Sequence, residues 1–278
     1  MSTLEDIYNS NAVHWESYAR QPGRYLCEYF TIFKNISPTG NGEGQCLSNM
    51  RILDLGCGNG DISIESLRRG AKFAVGIDFA ENLLSRAREI ANEAGFMESH
   101  YSFIKANAFQ SETVFEQLPL ETHRETFDVV FLLWILDYSQ TYEDFKRLIQ
   151  LAASYLKPGG TLMILENNHA VATNTEEVNK KNKFGDWVCS NPTWNVDHWQ
   201  IENTYIDPQT QRRNYTEHLE IFTKEQYQEA LQLAGLTLEK FGPLELDPRY
   251  SDLGFQESDF CCLTEEIGAY YHYKGVKH

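Results

Sequence analysis

From residue 51 onward the chain repeats one pattern. Short apolar runs alternate with stretches in which apolar positions recur every three or four residues. The runs at 51–55, 73–78, 101–106, 127–133 and 161–165 read as strands, and the periodic stretches at 61–69, 80–94 and 142–156 read as helices. Gly95 stands where the second helix should stop, and Pro158-Gly159-Gly160 closes the third. The run at 127–133, FDVVFLL, is almost wholly apolar, as in a strand covered on both faces. Strand and helix alternating at this spacing predict an α/β fold on a doubly wound parallel sheet.

The flanks read differently. Residues 3–34 have helical spacing, with Leu4, Ile7, Tyr8, Trp15 and Tyr18 among the apolar positions and a break at Pro22-Gly23. Residues 35–48 form a loop rich in Gly, Ser and Asn. Beyond Glu166 the chain turns polar, aromatic and Asn-rich. Within 167–222 the signals are those of a β-hairpin, with strands at 199–206 and 213–222 about the turn Asp207-Pro208-Gln209-Thr210. This stretch reads as an insertion over the site, not a separate domain. A helix at 224–234 stops at Gly235, two strands near 236–241 and 259–266 complete the sheet, and the tail at 268–278 reads as disordered.

Composition narrows the chemistry. The 278 residues are 42% hydrophobic and 13% aromatic, enough for a full globular core. Lys and Arg number 24 against 40 Asp and Glu, a formal net charge of −16. That balance disfavours nucleic acid, which needs cations against phosphate, and anionic membrane surfaces for the same reason. No apolar stretch is long enough to span a membrane, and the start, MSTLEDIYNS, has no apolar signal core. The six cysteines form no C-x-x-C pair and no zinc spacing with His, so no metal site is expected. A reduced, cytoplasmic protein is the simplest reading. The oligomeric state is left open.

The densest signal is RILDLGCGNGD at 51–61, where Gly56, Gly58 and Gly60 follow a strand and open a helix. A strand, a Gly-rich turn and a helix make a nucleotide-binding arrangement. The dinucleotide fingerprint G-x-G-x-x-G is not met, because its third glycine position holds Asp61. A phosphate-binding P-loop is not met either, since no Gly-Lys-Ser/Thr follows and the turn holds no Lys or Arg. What remains is a nucleoside without phosphates.

The pattern D-x-G-x-G-x-G from Asp54 to Gly60 resembles motif I of the class I S-adenosylmethionine-dependent methyltransferases. Further milestones follow in order: Asp78 in VGIDFAENLL, Asn107 in KANAF, FDVV at 127–130 and LKPGG at 156–160. The resemblance implies a Rossmann-like seven-stranded methyltransferase sheet that binds S-adenosylmethionine and releases S-adenosylhomocysteine. It divides the chain into a helical N-terminal lid and linker (1–48), a cofactor-binding core (49–166), a substrate-cap insertion (167–222) and a C-terminal completion of the sheet (223–278). It implies that the glycine turn passes under the methionine part of the cofactor. An ionised carboxylate only accepts hydrogen bonds, so Asp78 at its strand end would take both ribose hydroxyls. Phe79, Ala108, Phe109, Leu133 and Trp134 would line the same cofactor, and Asn107 stands where the family often has an Asp contacting the adenine amine.

A narrower resemblance covers WILDYSQTYEDFKRLIQLAASYLKPGG at 134–160, ILENN at 164–168, the end of the chain, and AVHWESYARQPGRYL at 12–26. These stretches are similar to the toxoflavin-synthase-like branch, which methylates ring nitrogens of a small azapteridine. It implies a lid role for Tyr18. The acceptor is then a small molecule, and methyl transfer asks the protein for orientation and a dry pocket. Asp137, after the fourth strand, could orient or deprotonate an acceptor N–H, and Tyr138 could cover its ring. His169, after the fifth strand beside Asn167 and Asn168, and His14 on the lid are candidate bases. Trp187, Trp194, Trp199, Tyr205 and Tyr215 could stack on a flat substrate or form the insertion's own core. Other acceptor classes stay open: O-methylation of a phenol or carboxylate, methylation of a protein side chain, or a non-catalytic S-adenosylmethionine-binding protein.

Overall fold

The computed structural model describes residues 21–37, 40, 42–183, 187–206, 213–266 and 268–278. Tyr18 and His14 lie outside the described residues, as does most of the expected lid helix. Its visible end is helical from Pro22, where proline suits a first turn, through a π-helical stretch Arg24–Tyr29 and the α-helix Phe30–Ile36.

Five strands follow as expected: β1 (Arg51–Leu55), β2 (Phe73–Asp78), β3 (Tyr101–Lys105), β4 (Phe127–Leu133) and β5 (Leu156–Asn167). An insertion supplies β6 (Trp187–Asn195), β7 (His198–Ile206) and β8 (Arg213–Ile221), and the chain returns with β9 (Leu236–Pro243) and β10 (Tyr270–Lys277). The seven-stranded sheet has the order β3-β2-β1-β4-β5-β10-β9. Strands β1 to β5 pair in parallel, while β10 runs antiparallel to both β5 and β9.

Alternation along β4 explains its unbroken apolar run. Val129, Phe131 and Leu133 enter the core on one face with Leu84, Ala87 and Ala91 of the helix Glu81–Glu93. Val130 and Leu132 enter the other with Phe145, Leu148 and Ile149 of the helix Tyr142–Tyr155. Strand order reverses between β1 and β4, so the crevice beyond their C-terminal ends is where such sheets bind ligands.

Three expectations are corrected. The insertion is a three-stranded antiparallel sheet, β6-β7-β8, not a hairpin alone. Pro192 masked β6, which is an exposed edge strand whose register slips between Ser190 and Thr193. The last strand is not 259–266. There Phe260, Cys262 and Leu263 are buried from a 3-10 turn and the short helix Cys261–Thr264. Nor is 268–278 disordered: β10 fills the slot between β5 and β9, pairing on both sides. The helices Ser111–Gln117, Leu120–His123, Ala170–Thr173 and Thr175–Lys181 were not expected either.

Candidate functional site

The three glycines of the β1 turn all hold positive φ, at 80°, 54° and 78°. Their surroundings separate them. A Cβ on Gly56 would lie 2.7 Å from Ile135 Cδ1, and one on Gly60 would lie 2.8 Å from Phe103 Cζ and 2.9 Å from Ala87 Cβ. Both are glycines because the protein itself packs against them. A Cβ on Gly58 would meet nothing within 4 Å among the described residues. It would project into a cleft whose near wall is Gly56, Cys57, Gly58, Asn59 and Asp61. The turn is pinned to β2: Gly56 and Cys57 donate to the Ile77 carbonyl at 2.8 and 3.0 Å, and Gly58 N–H donates to Asp78 Oδ2 at 2.9 Å.

Asp78 closes this wall. Its other oxygen, Oδ1, accepts from Ala80 N–H at 2.8 Å. Burial raises its pKa, and the backbone N–H groups of Ala80, Gly58 and Phe79 oppose that rise. The two carboxylate oxygens, with about four acceptor positions between them, keep capacity beyond these bonds. Asn59 lines the same wall with its Nδ2 buried and without a hydrogen-bond partner. Asp54 does not line the cleft. It is buried beneath the turn, accepts from Ser63 Oγ at 2.8 Å, and is pushed up to about 7 by desolvation. Asn107 also turns away from the expected contact: its Oδ1 accepts from Phe109 N–H at 3.0 Å within its own loop. Phe79 is half-buried, Ala108 buried and Phe109 exposed, and none of the three lines the cleft as it stands.

The opposite wall begins where β4 ends. Leu133 and Trp134 line it. Trp134 has φ +60°, a conformation rare for a bulky residue and held here by its surroundings. Its backbone N–H donates to the Leu165 carbonyl at 3.0 Å, its indole N–H to Glu28 Oε2 at 3.3 Å, and its ring meets Tyr270 edge-on at 4.5 Å. Glu28 in turn pairs with Arg24, a cation that reaches the cleft.

Asp137 lines the cleft although it is only 2% exposed. Its Oδ2 accepts from the backbone and side-chain N–H groups of Asn167, and its Oδ1 is buried and accepts from no N–H or hydroxyl group among the described residues. Beside it Glu166, fully buried, accepts from Ile135 N–H and Leu136 N–H at 2.8 Å each. Desolvation drives both carboxyls upward; the Asp137 charge raises Glu166 further, while Asn167 and Glu166 restrain Asp137 and the Glu217 charge pushes it up, so the pair holds a proton near neutrality, on Glu166 first. The insertion sheet adds a third acid. Glu217 on β8, 5% exposed, accepts from Tyr138 Oη–H at 2.8 Å. Desolvation pushes it up to about 7.

The structure thus brings Asp78, Gly56, Gly58, Leu133, Trp134, Asp137 and Tyr138 to one cleft. His169 is not among them. It is exposed, with its carbonyl capping the helix Ala170–Thr173. Of the insertion aromatics only Tyr205 lines the cleft, stacked on Tyr215 at 4.7 Å. Trp187 is buried against Tyr270, and Trp194 is 52% exposed with its ring edge against Trp199. Sequence reasoning missed Arg24, Asn203, Glu217, Leu219 and Tyr270 in the cleft wall. A signal existed for Glu217: it interrupts the apolar face Tyr215, Leu219, Ile221 of an alternating strand. The wall carries Asp61, Asp78, Asp137 and Glu217 against Arg24, so it favours a cationic ligand.

A family described as "Methyltransferase domain" matches residues 47–235. A ubiquinone biosynthesis O-methyltransferase of Idiomarina loihiensis is 34% identical over 125 residues, 45% of this chain and 45% of that protein, so the chain spans less than half the length of the curated relative it matches. Among solved structures, an S-adenosylmethionine-dependent methyltransferase from Clostridium acetobutylicum superposes with TM-score 0.60 at 15% identity over 98% of this chain and 99% of the other. A 1,6-didemethyltoxoflavin-N1-methyltransferase from Burkholderia thailandensis, with bound 1,6-didemethyltoxoflavin and S-adenosylhomocysteine, superposes with TM-score 0.56 at 13% identity over 99% of this chain and 87% of the other. At such identities the two structures speak for the shared fold.

Proposed function

Since the chain belongs to the methyltransferase-domain family, we propose that it methylates a ring nitrogen of a small planar heterocycle. Its cofactor is S-adenosylmethionine, which supplies an electrophilic methyl on a sulfonium. The observation that carries the donor site is the contrast among the three turn glycines: of them only Gly58 faces space that no described residue fills, beside the Asp78 carboxylate and the orphaned Asn59 amide. In this reading the backbone at Gly58 passes close to the methionine part and Asp78 takes the ribose hydroxyls. Ala108 and Phe109 serve the adenine end, with Asn107 shaping their loop through its bond from Phe109 N–H, and Leu133 and Trp134 border the methyl. Carboxylates across the cleft suit a sulfonium.

On the acceptor side Asp137 orients an N–H, Tyr138 and Tyr205 flank a flat ring, and the insertion acts as the cap. No helix among the described residues is long and apolar enough to cross a membrane, and we take the chain to work in the cytoplasm on a freely diffusing acceptor. One observation favours a second reading: the curated relatives are named as O-methyltransferases, which would put a phenol where we place the ring nitrogen. A screen of planar N–H heterocycles and phenols with methyl-labelled donor, read by mass spectrometry, decides between them. N-methyl products support the heterocycle; exclusive O-methylation overturns it.

A further inference from the structure

We propose that Glu217, delivered by the insertion sheet, is the group that takes the acceptor's proton, and that the acceptor is therefore a planar N–H or O–H acid. This rests on the methyl-transfer reading above and extends it to the substrate's ionisation.

The small sheet places the group. Asn203 pairs with Glu217, and Tyr205 with Tyr215, across β7 and β8. Side chains alternate faces along a strand, so Asn203, Tyr205, Glu217 and Leu219 share the face that lines the cleft. Glu217 stands there 5% exposed, held through Oε2 by the Tyr138 hydroxyl and favoured in its charged form by the side chains of Tyr205 and Asn203 as well, while Oε1 is buried and meets no donor at good hydrogen-bond geometry among the described residues. An acceptor oxygen left without a donor at a cleft wall costs stability unless a ligand satisfies it. The other titratable groups nearby are poorer proton acceptors. Asp137 spends Oδ2 on both N–H groups of Asn167 and lies against Glu166, deeper under the cleft wall. Asp78 and Asp61 belong to the turn wall, and Arg24 and Tyr205 carry no basic site at neutral pH. Glu217 is raised by burial to about 7, into the range a general base needs, and restrained by Tyr138, Tyr205 and Asn203.

In the transfer, the acceptor's X–H bond breaks and its proton passes to the Glu217 carboxylate. The electron pair left on X forms the bond to the methyl as the methyl–sulfur bond breaks onto sulfur. Glu217 then returns the proton to solvent.

The test uses the full chain with S-adenosylhomocysteine bound and two probes, lumazine as an N–H acid and 4-nitrophenol as an O–H acid. Infrared difference spectra at neutral pH should show a new protonated-carboxyl band when either probe binds, and Glu217→Gln should remove it while holding S-adenosylhomocysteine affinity within about threefold. With any probe that turns over, Glu217→Gln should lower kcat by about 100-fold or more. In Tyr138→Phe the alkaline shift of the remaining carboxyl should move the rising limb of the rate profile to higher pH. A band that persists in Glu217→Gln, a bound probe with no band, or failure of both probes to bind each overturns the proposal. So does a Glu217→Gln protein that no longer binds S-adenosylhomocysteine. Failure of the wild-type protein to bind S-adenosylhomocysteine would overturn the methyl-transfer reading beneath it as well.

Discussion

On one side of the cleft the turn after β1 offers backbone and two carboxylates, Asp61 and Asp78, all within residues 56–61 and Asp78. Across from it stand side chains brought from far apart: Arg24, Trp134, Asp137, Asn167, Glu217 and Tyr270. The first wall is rigid by construction, with Gly56 and Gly60 wedged against Ile135 and Phe103. The second depends on how an insertion sheet settles against the strand ends. A donor common to many enzymes can be met by one local pattern, whereas an acceptor peculiar to one enzyme is met by whatever the surrounding chain supplies. The two walls should therefore fail separately when changed.

The sharpest break is Gly58→Val. Its side chain would project into open cleft, where the donor should lie, and donor affinity should drop by about 100-fold or more, ~2.7 kcal/mol. The fold should lose only about 1–2 kcal/mol from placing a branched residue at positive φ. Gly60→Val is the control for the protein's own packing. It meets Phe103 and Ala87, so it should lower the thermal midpoint far more than Gly58→Val does. Calorimetric titration with S-adenosylhomocysteine beside thermal melts reads both. Donor binding retained in a folded Gly58→Val protein would remove close approach at this position.

Next in size is Asp78→Ala. The lost charge-assisted bonds should weaken the donor by about 30-fold or more, at ~1.5–3 kcal/mol for each hydrogen bond to a charged group. Asp78→Asn should fall between, since an amide oxygen still accepts. Asp78→Ala also frees both Gly58 N–H and Ala80 N–H, and Asp78→Asn one of them, within the turn wall, so acceptor binding, measured separately, should change less than donor binding does. Equal losses on both would mean that the two walls are coupled through the turn.

The parallel half of the sheet was legible because its signals are local. Apolar runs, the glycine turn and Asp78 each sit within a few residues of the element they define. The edge strand β6 was not, because Pro192 and a register slip break its alternation. Strand β10 was not, because YYHYKGVK owes its place to partners on either side, β5 and β9, rather than to an apolar run. His169 was judged by its nearness to β5, but the chain turns into a helix there and leaves the ring exposed. Glu217 needed the sheet's facing to be known before its lone charge on an inward position could be weighed.

A separate effect, on stability and with nearly none on donor affinity, distinguishes the walls by pH. Asp54, under the turn, is raised by burial from 3.8 to about 7. The folded protein therefore holds its proton in a range where the unfolded chain has lost it. Asp54's contribution is fully present below about pH 4 and is lost as pH rises through about 7, an upper bound near ~4 kcal/mol at 1.36 kcal/mol per unit. Denaturant melts of Asp54→Asn should be flatter over that window than those of wild type, with donor affinity nearly unchanged. A wild-type slope unaltered by the substitution would show that Asp54 does not titrate there.

Smallest, and confined to the acceptor wall, is the loss of one hydroxyl in Tyr138→Phe. The Tyr138 Oη–H donates to Glu217 Oε2 at 2.8 Å and so favours the ionised carboxylate. Without it, Glu217 should hold its proton to higher pH, and turnover near neutrality should fall by about 3- to 10-fold, ~1 kcal/mol for one hydrogen bond. The donor wall does not touch this hydroxyl, so S-adenosylhomocysteine affinity should stay within error. Raising the pH should recover most of the lost rate, because the variant's carboxylate is only delayed, not removed. A rate deficit that stays constant with pH would instead assign Tyr138 to holding the acceptor ring, and the two walls would then differ in shape rather than in ionisation.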